Sequence, residues 1–87
     1  MACYIVSYDI QKDAEYEQLY TLIKSYGIWA KINKSTWAVV SNKTAEQVRD
    51  HISSVLDEKD SLFIVKSGGS AAWMNVICRS AWLKKYL

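Results

Sequence analysis

The hydrophobic period of this 87-residue chain switches between two and about 3.6 several times, and that alternation leaves few folds open. Residues 2–8 alternate as a strand, with Cys3, Ile5 and Ser7 on one face and Tyr4, Val6 and Tyr8 on the other. Both faces are apolar enough for a strand at the centre of a sheet. Residues 13–25 then follow helical spacing. Tyr16, Leu19, Leu22, Ile23 and Tyr26 form one stripe, and Asp13, Glu15 and Glu17 stand near the start, where the helix dipole favours acids. Gly27 supplies the C-terminal stop.

Two strands come next, residues 28–32 and 36–41, joined by the short polar connection Asn33, Lys34 and Ser35, which fits a hairpin. Thr44 opens a second helix and Gln47 completes a capping box, with Val48, Ile52, Val55 and Leu56 as the buried stripe. Residues 61–66 form a fourth strand, centred on Leu62, Phe63, Ile64 and Val65. Ser67, Gly68, Gly69 and Ser70 make a turn, and residues 71–85 are expected to be a third helix capped by Ser70. The order is βαββαβ with an added C-terminal helix. Two strand–helix–strand halves of this kind give an α+β, ferredoxin-like fold, a four-stranded antiparallel sheet with two helices on one face. The other face is left for the last helix, a ligand or a second copy.

Eighty-seven residues predict one domain spanning 1–87, with a core that benefits from a partner. The chain is 51% hydrophobic and carries four Trp and six Tyr, which raises the expectation of an oligomer or a binding face. A net charge of +2 permits nucleic acid without announcing it. Cys3 and Cys78 have neither metal spacing nor a disulfide framework, and both read as reduced, buried small hydrophobes. No apolar run reaches the roughly 20 residues of a membrane span. The N-terminus lacks the pattern of a signal peptide, so a cytoplasmic location is expected.

The residues that could carry chemistry are few. Asp9 closes the first strand in the stretch YIVSYDI, and by position alone it is a turn former or a cap for the next helix. Ser35 is a hairpin residue by default. Lys31, Lys34 and Lys43 flank the hairpin, where they serve either as a phosphate-contacting patch or as edge lysines that discourage strand pairing. Trp29 and Trp37 lie on neighbouring strands, suited to core packing more than to base stacking. The lone His51 reads as part of a solvated helix face, among Arg49, Asp50 and Ser53. The Gly68–Gly69 turn before a helix start is a weak anion-site signal.

Taken together, YIVSYDI, a helix closing on Tyr26 and Gly27, and the strand–turn–strand KINKSTWAVV resemble the CRISPR adaptation family, its small dimeric member that pairs with the integrase. Asp9 matches the strand-end aspartate, and Ser35, Thr36 and Trp37 match a Ser-x-aromatic element. The likeness covers roughly residues 3 to 66 and extends to SinR-like proteins and VapD-type toxin ribonucleases. It implies a homodimer that sets two copies of Asp9 across a two-fold axis. Asp9 is then the candidate catalytic residue and Mg²⁺ ligand, and Ser35 orients a phosphate or a metal-bound water. Lys31, Lys34 and Lys66 contact an RNA or DNA backbone.

The chain departs from the family pattern in carrying only Arg49 and Arg79 as arginines. It also departs in the expected helix over residues 71–87, where the adaptation proteins run on as a strand. That helix makes the SinR-like relatives the closer comparison, and it presents Trp73 and Trp82 as a candidate interface for a protein partner. Three readings stay open: a metal-dependent endonuclease using Asp9, a non-catalytic dimer that binds nucleic acid or a nucleotide-like ligand, and a protein-interaction module. Each has a place in a defence, counter-defence or toxin system.

Overall fold

A computed structural model describes residues 1–11 and 16–87. Strand β1 (Ala2–Asp9) is central, pairing antiparallel with β3 (Thr36–Ser41) on one side and with β4 (Ser61–Lys66) on the other. Strand β2 (Trp29–Asn33) pairs with the outer side of β3, so the sheet order is β2-β3-β1-β4. Helices α1 (Tyr16–Lys24) and α2 (Ala45–Ser53) lie between the strands in the chain, and α3 (Ser80–Tyr86) closes it. This is the ferredoxin-like arrangement expected from the alternation of periods. Asp13 and Glu15, expected in the first turns of the first helix, lie outside the described residues.

The period-two alternation of β1 is realised on both faces. Tyr4, Val6 and Tyr8 join Trp37 and Val39 of β3, Leu19 and Ile23 of α1, and Val48 and Ile52 of α2 in the main core. Trp37 is only 1% exposed and anchors this layer. Cys3, Ala38 and Val40 face the opposite side, where Trp82, Tyr86 and Leu87 pack on them. The last helix therefore covers the β3 half of the second face. The β4 half stays open, with Phe63 64% and Val65 43% exposed. Burial pushes the Cys3 thiol above its ordinary value, so it remains a protonated apolar filler, and Cys78 is half-buried and unpaired.

Local signals placed the element ends well. The capping box is present: the Thr44 hydroxyl accepts from the Gln47 N–H at 3.2 Å, and Gln47 Oε1 accepts from the Thr44 N–H at 2.9 Å. Gly27 takes φ +85°, the left-handed conformation that ends α1.

The C-terminal helix is shorter than expected. It begins at Ser80, with Arg79 as a cap that makes no side-chain hydrogen bond, and residues 71–79 are not helical. Asn75 sits at φ +57° and interrupts any helix there. Beyond it, the Ile77 N–H donates to the Ile32 carbonyl on the outer edge of β2. Ile32 is the extra residue of a bulge between Lys31 and Asn33, and such residues have carbonyls left over for partners outside the ladder. A tertiary bond at Ile77 thus competes with the helix expected over this stretch. No helix start follows the Gly68–Gly69 turn, which removes the anion-site reading; the Ser67 N–H instead donates to the Cys3 carbonyl.

Replacing Thr44 with Ala should cost about 1 kcal/mol by removing one half of the capping box. Urea denaturation should show this as a lower midpoint with an unchanged slope.

Candidate functional site at the end of strand β1

Asp9 is exposed at the end of β1, opposite Ser61 of β4. Among the described residues its carboxylate makes no hydrogen bond or ion pair. Its alternative role as a cap for the following helix falls on residues 12–15, outside the described residues.

The neighbouring Tyr8 brings the hairpin to this place. The Tyr8 N–H donates to the Ser35 carbonyl at 3.1 Å, and Ser7 pairs with Thr36. The Tyr8 hydroxyl accepts the Trp37 indole N–H at 3.0 Å and points its own proton at the Lys34 carbonyl, 3.4 Å away. Asn33 Oδ1 accepts from the Ser35 N–H at 3.2 Å and shapes the turn. Asp9, Lys34 and Ser35 are therefore gathered at one end of the sheet.

A second carboxylate, Asp60, stands beside this end and is already occupied. Its two oxygens accept the Gln11 N–H at 2.9 Å and the Asp57 N–H at 2.8 Å, closing the loop between α2 and β4. Sequence reasoning passed over Asp60. Its spacing from Asp57 in a polar run was the available signal for a turn. No group of three His, Cys, Asp or Glu side chains among the described residues has the geometry to hold a metal. Asp9 and its surroundings offer hard oxygen donors, with no sulfur or imidazole nearby. That set suits a water-rich ion such as Mg²⁺ better than zinc, and only if a second carboxylate arrives from elsewhere.

The other expected site residues are dispersed. Lys31 lies on the helix side of β2, its Nζ 4.7 Å from the Tyr20 ring centre and 5.6 Å from that of Trp37. Cation–π attraction to the core rim holds it there. Lys66 pairs with Tyr4, five register positions from Asp9, which is about 17 Å along a strand. Lys43 is also at that far end, where its carbonyl accepts the Tyr4 hydroxyl at 2.6 Å. Of the lysines singled out in the sequence, Lys34 alone stands beside Asp9.

The tryptophans divide in a similar way. Trp82 lies against Tyr86, the rings tilted by 45° with 4.6 Å between centres, and packs on the chain's own sheet. Trp73 lies ahead of the helix, and its indole N–H donates to Ser80 Oγ at 3.2 Å. His51 is half-buried rather than solvated, its Nδ1 2.8 Å from the Tyr26 hydroxyl. Helical periodicity could not foresee this contact, because Tyr26 comes from the end of a different element.

The sequence profile of the family described as CRISPR associated protein Cas2 matches residues 1–74. The crystal structure of a hypothetical protein TT1823 from Thermus thermophilus is similar, with 28% identity and a TM-score of 0.70. That similarity covers 86% of this chain and 92% of the other. Among curated proteins there is no match.

Tyr8 gives this site a measurable signature. Burial pushes its phenol well above the ordinary 10.0, working against the Trp37 N–H, which favours the ionised oxygen. A raised folded-state value means that Tyr8 supports the fold fully below pH 10.0 and progressively less as the unfolded phenol ionises above it. Tyr8→Phe should lose about 1–3 kcal/mol at neutral pH by orphaning the indole N–H. The gap between wild type and variant should narrow by about pH 11 in denaturation curves followed by tryptophan fluorescence.

Proposed function

The chain belongs to the Cas2 family of CRISPR-associated proteins, and on that premise we propose that it acts as a nucleic-acid-associated homodimer bringing two copies of Asp9 together. The observation that carries this reading is the combination at the end of β1. An exposed carboxylate without a partner among the described residues stands beside a turn that presents Ser35 and Lys34.

Two Asp9 side chains across a two-fold axis would supply the second carboxylate that one chain lacks. They would hold a single Mg²⁺ whose remaining ligands are water, as that ion prefers. Such an ion, when bound, makes water a better nucleophile and offsets charge on a phosphodiester. Within the chain, Asp9 anchors the ion, the Ser35 hydroxyl orients the phosphate, and Lys34 offsets its charge. Lys31 and Lys66 are too dispersed to join the same phosphate contact within one copy, and they serve a longer strand lying along the protein. The SinR-like comparison drew on a helix running from residue 71. With α3 confined to Ser80–Tyr86, that ground is narrower, and the adaptation family is the better frame for the function.

A second reading is a dimer that carries nucleic acid without cutting it. It is favoured by the absence, among the described residues, of a group of three His, Cys, Asp or Glu side chains that could hold a metal. Single-stranded RNA and duplex DNA should be incubated with the protein in Mg²⁺ or in EDTA, with binding followed in parallel. The nuclease reading expects cleavage that chelation and Asp9→Asn both abolish. Binding that persists unchanged in Asp9→Asn, with no cleavage under any condition, would decide for the carrier.

The dimer itself is supported by the open half of the second sheet face. Phe63 and Val65 stand exposed there, outside the cluster on which α3 packs. Phe63→Glu should leave the fold intact, because the ring is already exposed. It should convert a dimer to monomer in light scattering after size exclusion. A wild-type monomer at micromolar concentration would sink the two-fold arrangement of Asp9.

A further inference from the structure

A cavity of about 600 Å³ lies at the end of the sheet opposite Asp9, between the start of α2 and the ends of α1 and β3. Ile28 and Val40 line its apolar part, and Tyr26, Ser41, Lys43, Gln47 and His51 also border it. Among the described residues no Asp or Glu lines it. Its size is within the range of small-ligand sites.

Hydrogen-bond accounting decides what such a cavity can hold. Gln47 Oε1 is committed to the Thr44 N–H in the capping box, which leaves the Gln47 amide as a pair of donors. Ser41 Oγ accepts the Lys43 N–H at 3.1 Å, so its own proton is free to donate. Tyr26 Oη lies 2.8 Å from His51 Nδ1. In the neutral imidazole, donation by the phenol to Nδ1 leaves the ring proton on Nε2, a third donor. Lys43 adds a cation with no acceptor of its own. On Gln47, Ser41 and His51 an acceptor is used internally while a donor is left over.

From this arrangement we infer a binding site for a phosphate monoester attached to an apolar or aromatic body, with Lys43, Gln47, Ser41 and His51 contacting the phosphate. Tyr26 and His51, rings tilted at 5.3 Å between centres, form an aromatic wall for the attached group. The same chemistry is offered by a free mononucleotide and by the phosphorylated end of a nucleic-acid strand. The site is independent of Asp9: Ser41 pairs with Ala2, seven register positions from Asp9, roughly 24 Å along β1.

Gln47→Glu gives a sharp test. A glutamate at this position of a capping box keeps the acceptor for the Thr44 N–H, so the helix start survives while the donors become a negative charge. Amide and imidazole NMR shifts should be followed while titrating inorganic phosphate, AMP, adenosine, and a short oligonucleotide with either a 5′-phosphate or a 5′-hydroxyl. The expected result is saturable shifts at Lys43, Gln47 and His51 with AMP. Affinity should fall about tenfold or more in Gln47→Glu and in Lys43→Gln, with adenosine producing none of these shifts. AMP and the 5′-phosphorylated strand binding alike would assign the phosphate alone as the determinant. Preference for the phosphorylated strand over AMP would assign a strand end, and the reverse preference a free nucleotide. Shifts scattered over other lysines, or AMP affinity unchanged in a folded Gln47→Glu protein, would overturn the proposal.

Discussion

The hydrogen bond from the Trp37 indole to the Tyr8 hydroxyl, 3.0 Å long and inside the core, ties the two central strands together on the face that the helices cover. A buried polar pair of this kind is useful only in one register, because a one-residue slip of either strand would send its side chain to the opposite face, away from its partner. It therefore does two things at once. It satisfies two groups that would be costly to bury alone, and it fixes β1 against β3 where Ser7 meets Thr36. The position of the hairpin turn beside Asp9 follows directly, through the adjacent Tyr8 N–H and the Ser35 carbonyl.

Around that pair the aromatic residues form a continuous layer. Tyr16, Tyr20, Trp37 and Trp29 succeed one another with ring centres 5.2–5.8 Å apart, with the Lys24 charge over Trp29 and the Lys31 charge over Tyr20 and Trp37. Such contacts give a small domain a well-packed core rim without needing more chain. They also draw Lys31 toward the rim of the core and away from the group formed by Asp9, Ser35 and Lys34. The same economy explains the second face. Seven residues of α3 cover only the β3 half, and Phe63 and Val65 remain exposed on the other. A chain with a marginal core and an apolar strip in the open is suited to completing that face with a second copy.

The two ends of β1 have different characters. One presents an exposed carboxylate beside a polar turn, which suits a hard cation and a phosphodiester. The other presents donors around a cavity, which suits an anion. No helix among the described residues is long and apolar enough to cross a membrane. Exposed charges separated by the length of a strand are largely screened from one another.

Much of this was legible in the chain itself. The switch of period from two to 3.6 determined the order of elements and, with the hairpin, the ferredoxin-like sheet, because local geometry dictates which residues can share a face. Gly27 and the pair Thr44 and Gln47 marked helix ends through hydrogen bonds made within a few residues, and Asp9 was visible as the carboxylate closing a strand. The surroundings of each candidate were decided only by tertiary contacts. The bond from Ile77 to Ile32 keeps residues near Ile77 out of a helix, the packing of Tyr26 on His51 withdraws an apparently solvated ring, and the register of β1 places Lys66 and Lys43 far from Asp9. These depend on partners 25 or more positions away in the chain, and no local pattern of residues encodes which distant group will be met.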